Sequence, residues 1–221
     1  MSKLQPTLIS SSTTSRQRLL KVCGMRDADN IHAVEALGVD WMGFICWQGS
    51  ARYVGEPPSY LPQRARRIGV FVTPTIEEVQ SQVLALGLDI IQLHGSESAT
   101  FCCEVHAATS LPIVKAFAIK QQSDLERTSE YVDCDYFLFD TPTPLIGGSG
   151  KQFDWSLLDA YDGRTPFLLS GGIGPDDAKR LRCYNHPRCI GFDVNSRFER
   201  SAALKDVEAL HTFIQTLRSH P

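Results

Sequence analysis

Short apolar runs of about four or five residues, each cut off at a small or polar residue, recur along the whole chain with more polar stretches between them. A parallel strand covered on both faces has this look, because neither face needs a polar alternation. The pattern predicts strands at residues 19–22, 41–45, 68–71, 90–93, 113–117, 136–139, 167–169 and 190–194. After the first run, Asp27 and Asp29 precede Ile31, Val34 and Leu37 at helical spacing, and Gly38 follows, which reads as a capped amphipathic helix. Further helices are predicted at residues 59–65, 75–86, 96–107, 123–131, 155–160, 175–182 and 204–217.

Eight strands, each followed by a helix, within about two hundred residues predict a single closed (β/α)8 TIM barrel. An open doubly wound sheet places one glycine-rich loop after its first strand. Here the glycine-rich elements follow the sixth, seventh and eighth strands, where barrels commonly build phosphate sites. No Gly/Ser/Pro-rich linker interrupts the rhythm, so residues 19–221 read as one catalytic domain. Residues 1–18 are rich in Ser and Thr, carry Lys3, Arg16 and Arg18 and lack any acid. They read as a disordered arm ahead of the fold, with a remnant of an organelle transit peptide as the alternative.

Composition narrows the partners. The 221 residues are 43% hydrophobic and 21% charged, with a net charge of −3 and a pI near 6.1. That balance exerts no general pull on nucleic acid or an anionic membrane, which leaves a small molecule as the expected partner. The seven cysteines form no C-x-x-C pair and no zinc spacing, and no secretory segment opens the chain, so a reducing cytoplasm and no metal are expected. The adjacent Cys102 and Cys103 read as packing residues.

In a barrel, polar residues at the C-terminal strand ends converge on one mouth. Cys23 ends the first strand ahead of Gly24; most strand cysteines are buried packing, but at a mouth beside a cation a thiol can ionise and act as base or nucleophile. Asp140 closes the sixth strand after Tyr136, Phe137, Leu138 and Phe139, and an acid leaving so apolar a run either caps a loop or holds a proton to donate. Arg52, in the loop after the second strand, suits a substrate carboxylate, and His94 at the fourth strand end is either a pocket residue or a structural histidine. Three loops suit an anion: one holding Gly148, Gly150 and Lys151, one holding Ser170, Gly171 and Gly172, and one holding Asp193, Asn195 and Ser196. Each alone is weak evidence, since tight turns use the same residues. The clustered Arg64, Arg66 and Arg67 read as a solvated face at a helix end.

Taken in order, Lys21-Val22-Cys23-Gly24-Met25, Gly43-Phe44-Ile45 with Ser50-Ala51-Arg52-Tyr53-Val54, Gln92-Leu93-His94-Gly95, Phe139-Asp140-Thr141 with Gly147-Gly148-Ser149-Gly150, and Leu169-Ser170-Gly171-Gly172-Ile173 closely resemble the phosphoribosylanthranilate isomerase family of tryptophan biosynthesis. The resemblance spans about residues 20–217. It implies a cofactor-independent aldose–ketose isomerase, formally an intramolecular oxidoreductase, that performs an Amadori rearrangement of N-(5-phosphoribosyl)anthranilate. It implies Asp140 as general acid, Cys23 as base, Arg52 on the anthranilate carboxylate, and backbone around Gly171, Gly172, Asn195 and Ser196 on the phosphate, with His94, Gly148, Gly150 and Asp193 in the pocket. The sequence departs from the family where Ala51 replaces a proline, where the last phosphate loop reads Ser196-Arg197-Phe198-Glu199 with Arg197 in place of a glycine, and where no Pro-Gly precedes Lys205-Asp206. Arg197 is expected to point to solvent, since backbone N–H groups suffice for the anion. Two other readings compete: a different phosphosugar barrel, such as an aldolase using Lys21 or Lys115, and a barrel that binds a phosphorylated ligand without turnover.

Overall fold

Eight parallel strands close on themselves, β1 pairing with both β2 and β8. They are β1 (Leu19–Cys23), β2 (Trp41–Ile45), β3 (Arg66–Phe71), β4 (Ile90–Leu93), β5 (Ile113–Ala118), β6 (Tyr136–Asp140), β7 (Phe167–Ser170) and β8 (Cys189–Val194), so every predicted strand is present and the TIM barrel is the fold. This computed structural model describes residues 18–140 and 155–219. The arm at 1–17 and the loop carrying Gly148, Gly150 and Lys151 lie outside the described residues. Arg18, assigned to the arm by composition, belongs instead to the barrel: its guanidinium lies over the rings of Tyr184 and Phe192, 5.9 and 5.6 Å from their centroids.

Alternation along each strand divides the apolar residues into two cores. Cys23, Trp41, Ile68, Val70, Ile90, Val114, Ala116, Leu138 and Leu168 fill the barrel interior. Their neighbours Leu20, Val22, Met42, Phe44, Phe137 and Phe139 face outward onto helix residues such as Ile31, Val34, Val79, Val105, Leu210 and Phe213. Burying one such side chain contributes about 1.5–3 kcal/mol.

The helices are α1 (Ala28–Ala36), α2 (Ile76–Leu86), α3 (Ala99–Thr109), α4 (Ala178–Cys183) and α5 (Val207–Arg218). Asp27, Thr75, Ser98 and Asp206 cap four of them with side-chain oxygens. Five of the predicted helices need correction. Residues 59–65 form no helix. Pro62 disfavours helical backbone just before it, and the buried Glu35 carboxylate accepts the N–H groups of Gln63, Arg64 and Ala65 at 2.7, 2.6 and 3.1 Å, leaving an irregular connection. The segments Gln122–Glu130 and Trp155–Ala160 are 3-10 helices, and Pro175–Asp177 is a 3-10 turn that leads into α4. The last helix starts at Val207 rather than 204, because Leu204–Lys205 pairs antiparallel with Glu199–Ser201 and Asp206 is the stronger cap. The arginine cluster is also only partly solvated: the half-buried Arg67 donates to the carbonyls of Pro62 and Leu86.

Candidate active site

A cavity of about 400 Å³ opens at the C-terminal ends of the strands, and its wall includes Cys23, Gln92, His94, Asp140, Ser170, Gly171, Gly172, Asp193, Asn195, Ser196 and Arg197. The candidates from β1, β4, β6, β7 and β8 therefore meet in one place, as strand parity and barrel closure require.

Cys23 is 5% exposed, and it fits because the facing strand has Gly43: a Cβ there would lie 2.7 Å from the sulfur. Two residues earlier on the same face, the buried Lys21 places Nζ 2.9 Å from Asp193 Oδ1. Burial pushes the Cys23 thiol above its ordinary value; Lys21 pulls it down, Asp193 pushes it up, and Lys205 again pulls it down. Cys46 is unlike it. Its thiol donates to the Phe44 carbonyl at 3.6 Å, burial pushes it up to about 12, and it lines a separate cavity beside α2.

Across the mouth, Asp140 stands 3.5 Å from His94 Nε2, with its side chain 38% exposed. Gln92 lies two residues before His94 on the same inward face, and its amide nitrogen is 2.8 Å from His94 Nδ1. As oriented, the amide donates to Nδ1, so the neutral ring carries its proton on Nε2, toward Asp140. The loop bearing His94 is tied down from outside the barrel. Lys115 donates to Leu93 and Gly95 carbonyls and to Glu97 Oε2, while Glu97 Oε1 accepts from the Thr73 and Gly95 N–H groups. Strand spacing shows that Gln92 and Lys21 share faces with His94 and Cys23; no local signal marks Glu97.

Gly171 and Gly172 take φ of +92° and +64° in succession, a conformation that side-chain-bearing residues rarely adopt and that turns backbone into the cavity mouth. Beside them Asn195 accepts from Lys205 Nζ at 2.7 Å.

Arg52 is held by its own chain. Glu199 accepts from its Nε at 2.9 Å and its Nη2 at 2.6 Å, and Lys205 Nζ donates to the same carboxylate at 2.6 Å. Burial would raise the Glu199 carboxyl, but hydrogen bonds from Arg52 and Lys205 hold it below the usual range. Nη1 of Arg52 makes no hydrogen bond among the described residues, so one edge of the guanidinium keeps its donors. Glu199 and Lys205 had no role in the sequence reading, and nothing in their spacing reveals one.

Residues 20–216 match the family model for N-(5'-phosphoribosyl)anthranilate isomerase. The chain belongs to the phosphoribosylanthranilate isomerase family. It is 49% identical over 201 residues to the N-(5'-phosphoribosyl)anthranilate isomerase of Phocaeicola vulgatus, covering 90% of this chain and 98% of that one. The Parabacteroides distasonis isomerase is 45% identical over 212 residues, covering 92% and 94%. Among solved structures, a phosphoribosylanthranilate isomerase in complex with reduced 1-(o-carboxyphenylamino)-1-deoxyribulose 5-phosphate superimposes with a TM-score of 0.74 at 26% identity, covering 91% of this chain and 98% of that chain. The phosphoribosylanthranilate isomerase family thus accounts for the barrel and for nearly all of the chain, as the motif order implied.

Proposed function

We infer that this chain catalyses the Amadori rearrangement of N-(5-phosphoribosyl)anthranilate to 1-(2-carboxyphenylamino)-1-deoxyribulose 5-phosphate in tryptophan biosynthesis. One observation carries the reading above family membership: Cys23 and Asp140, from β1 and β6, line the same cavity as the Gly171 and Gly172 turn. Asp140 gives its proton to the ribose ring oxygen while the anilino nitrogen lone pair forms a C1=N bond and the C1–O bond breaks. His94, 3.5 Å from Asp140, orients that carboxyl. The Cys23 thiolate then takes the C2 proton. The electrons of the C–H bond form C1=C2, the cationic nitrogen is neutralised, and the resulting enolamine tautomerises to the ketose as the C2 hydroxyl loses its proton and C1 gains one.

Each proton transfer is worth roughly 10²–10⁴-fold in rate. Lys21 and Lys205 offset part of the burial that keeps the Cys23 thiol protonated. Arg52, aligned by Glu199, offers its Nη1 edge to the anthranilate carboxylate. The turn at Gly171 and Gly172, with Asn195 and Ser196, receives the phosphate. All these roles are filled by the protein's own groups, so the reaction is an intramolecular redox isomerisation that needs no cofactor. A cytoplasmic setting is supported by seven free cysteine thiols. The aldolase reading finds less support, since Lys115 Nζ is engaged by four acceptors and Lys21 Nζ by Asp193. Purified protein should turn over freshly made phosphoribosylanthranilate at the same rate with and without EDTA, and Asp140→Asn should lower kcat by at least about a hundredfold with an unchanged melting curve. No turnover by the wild-type chain, or near-normal turnover by the variant, overturns the assignment.

A further inference from the structure

Arg197 stands at the position where the resemblance leads to a glycine, and it is fixed in place by its neighbour. Phe198 is buried and packs edge-on against Phe213 of α5 at 4.9 Å, while its N–H bonds to the Asn195 carbonyl at 3.1 Å. The tight turn between these anchors leaves Arg197 exposed, as the sequence suggested, and places it at the rim of the cavity. Its Nε lies 2.9 Å from where a Cβ on Gly174 would sit, on the same cavity wall as Gly171, Gly172 and Ser196.

Two further observations assign this side chain a task. Arg197 is the one lysine or arginine lining the cavity among the described residues, while two carboxylates, Asp140 and Asp193, share that lining. Its guanidinium makes no hydrogen bond or ion pair among the described residues, whereas Arg52 is engaged by Glu199. Nor does the chain after β7 offer all of its amides: the Gly174 N–H is taken by the Asp177 carboxylate at 2.8 Å. With Asp193 already paired to Lys21, a phosphate dianion at the mouth meets Arg197 as the one unpaired cationic side chain of the lining among the described residues.

We propose that Arg197 is a substrate-binding residue that grips the 5-phosphate through its guanidinium and favours phosphorylated over unphosphorylated sugars. This rests on the reading of the Gly171 and Gly172 turn as the phosphate site. A planar fork matches two phosphate oxygens, which a lysine does as a point charge only.

The test compares the wild-type chain with Arg197→Ala, Arg197→Lys and Gly172→Ala, reading KM and kcat for phosphoribosylanthranilate and the inhibition constant of inorganic phosphate. Arg197→Ala should raise both KM and the phosphate constant about tenfold, raise KM far more than it lowers kcat, and flatten the dependence of KM on salt. Arg197→Lys should recover part of the loss. If Arg197→Ala moves both constants less than about threefold while Gly172→Ala weakens phosphate, the Arg197 assignment is overturned and the phosphate site stands. If neither variant weakens phosphate, the site itself is misplaced and the proposal falls with it.

Discussion

Replacing Lys21 by methionine keeps the length of the side chain and removes its charge, which isolates the electrostatics of the barrel interior. Lys21 and Asp193 are almost wholly buried and 2.9 Å apart. At that distance an effective dielectric of about 20 corresponds to roughly 6 kcal/mol of attraction, most of which offsets the desolvation of the two ions. The net value of the pair is therefore small, but deleting one partner strands the other, at a cost of about 3–5 kcal/mol. For a domain of this size each kcal/mol moves Tm by about 2–4 °C, so Lys21→Met should melt roughly 10 °C lower. The double variant Lys21→Met/Asp193→Leu should regain most of that loss, because no stranded charge remains. Lys21 also pulls the Cys23 thiol downward against its burial. A base works only when deprotonated, so turnover climbs as pH rises through the thiol value, and in Lys21→Met that climb should move to higher pH. Urea unfolding followed by tryptophan fluorescence, with a kcat–pH profile of each variant, reads both effects. A single-variant loss below about 1 kcal/mol, or a profile that moves toward acid, refutes the reasoning.

Cys23→Ser should abolish most turnover with little change in KM, since a hydroxyl is far harder to deprotonate than a thiol, while Cys46→Ser should retain it; the opposite pattern in steady-state kinetics would make Cys46 the base. Gly43→Ala places a methyl group 2.7 Å from the Cys23 sulfur and should cut kcat by displacing the thiol, with about 1–3 kcal/mol lost on unfolding; wild-type kinetics would show that the sulfur position is not critical. Arg52→Ala should raise KM about tenfold or more through a lost charge-assisted contact, and should lower Tm as well because Glu199 loses a partner; an unchanged KM would leave Arg52 a purely structural residue.

The alternation of apolar runs was enough to place all eight strands, because a buried parallel strand constrains its own residues locally. The same period of two puts Lys21 beside Cys23 and Gln92 beside His94 on the inward face, so part of the site was legible before any tertiary contact. Helices were less legible. Residues 59–65 have a helical apolar spacing, but Glu35, nearly thirty positions earlier, captures their amides. What no local pattern encodes is the pairing that closure creates: Lys21 with Asp193 across 172 positions, Arg52 with Glu199 across 147, and Asn30 with Lys205 across 175. Each pair joins an early strand, loop or helix to the last turn of the barrel, so it exists only once β8 has docked on β1. The strand-end places of Cys23, Asp140, Gly171 and Gly172 were written in the chain; the charges beside the thiol, the carboxylate that holds Arg52 and the rim position of Arg197 depend on distances that the closed barrel alone sets.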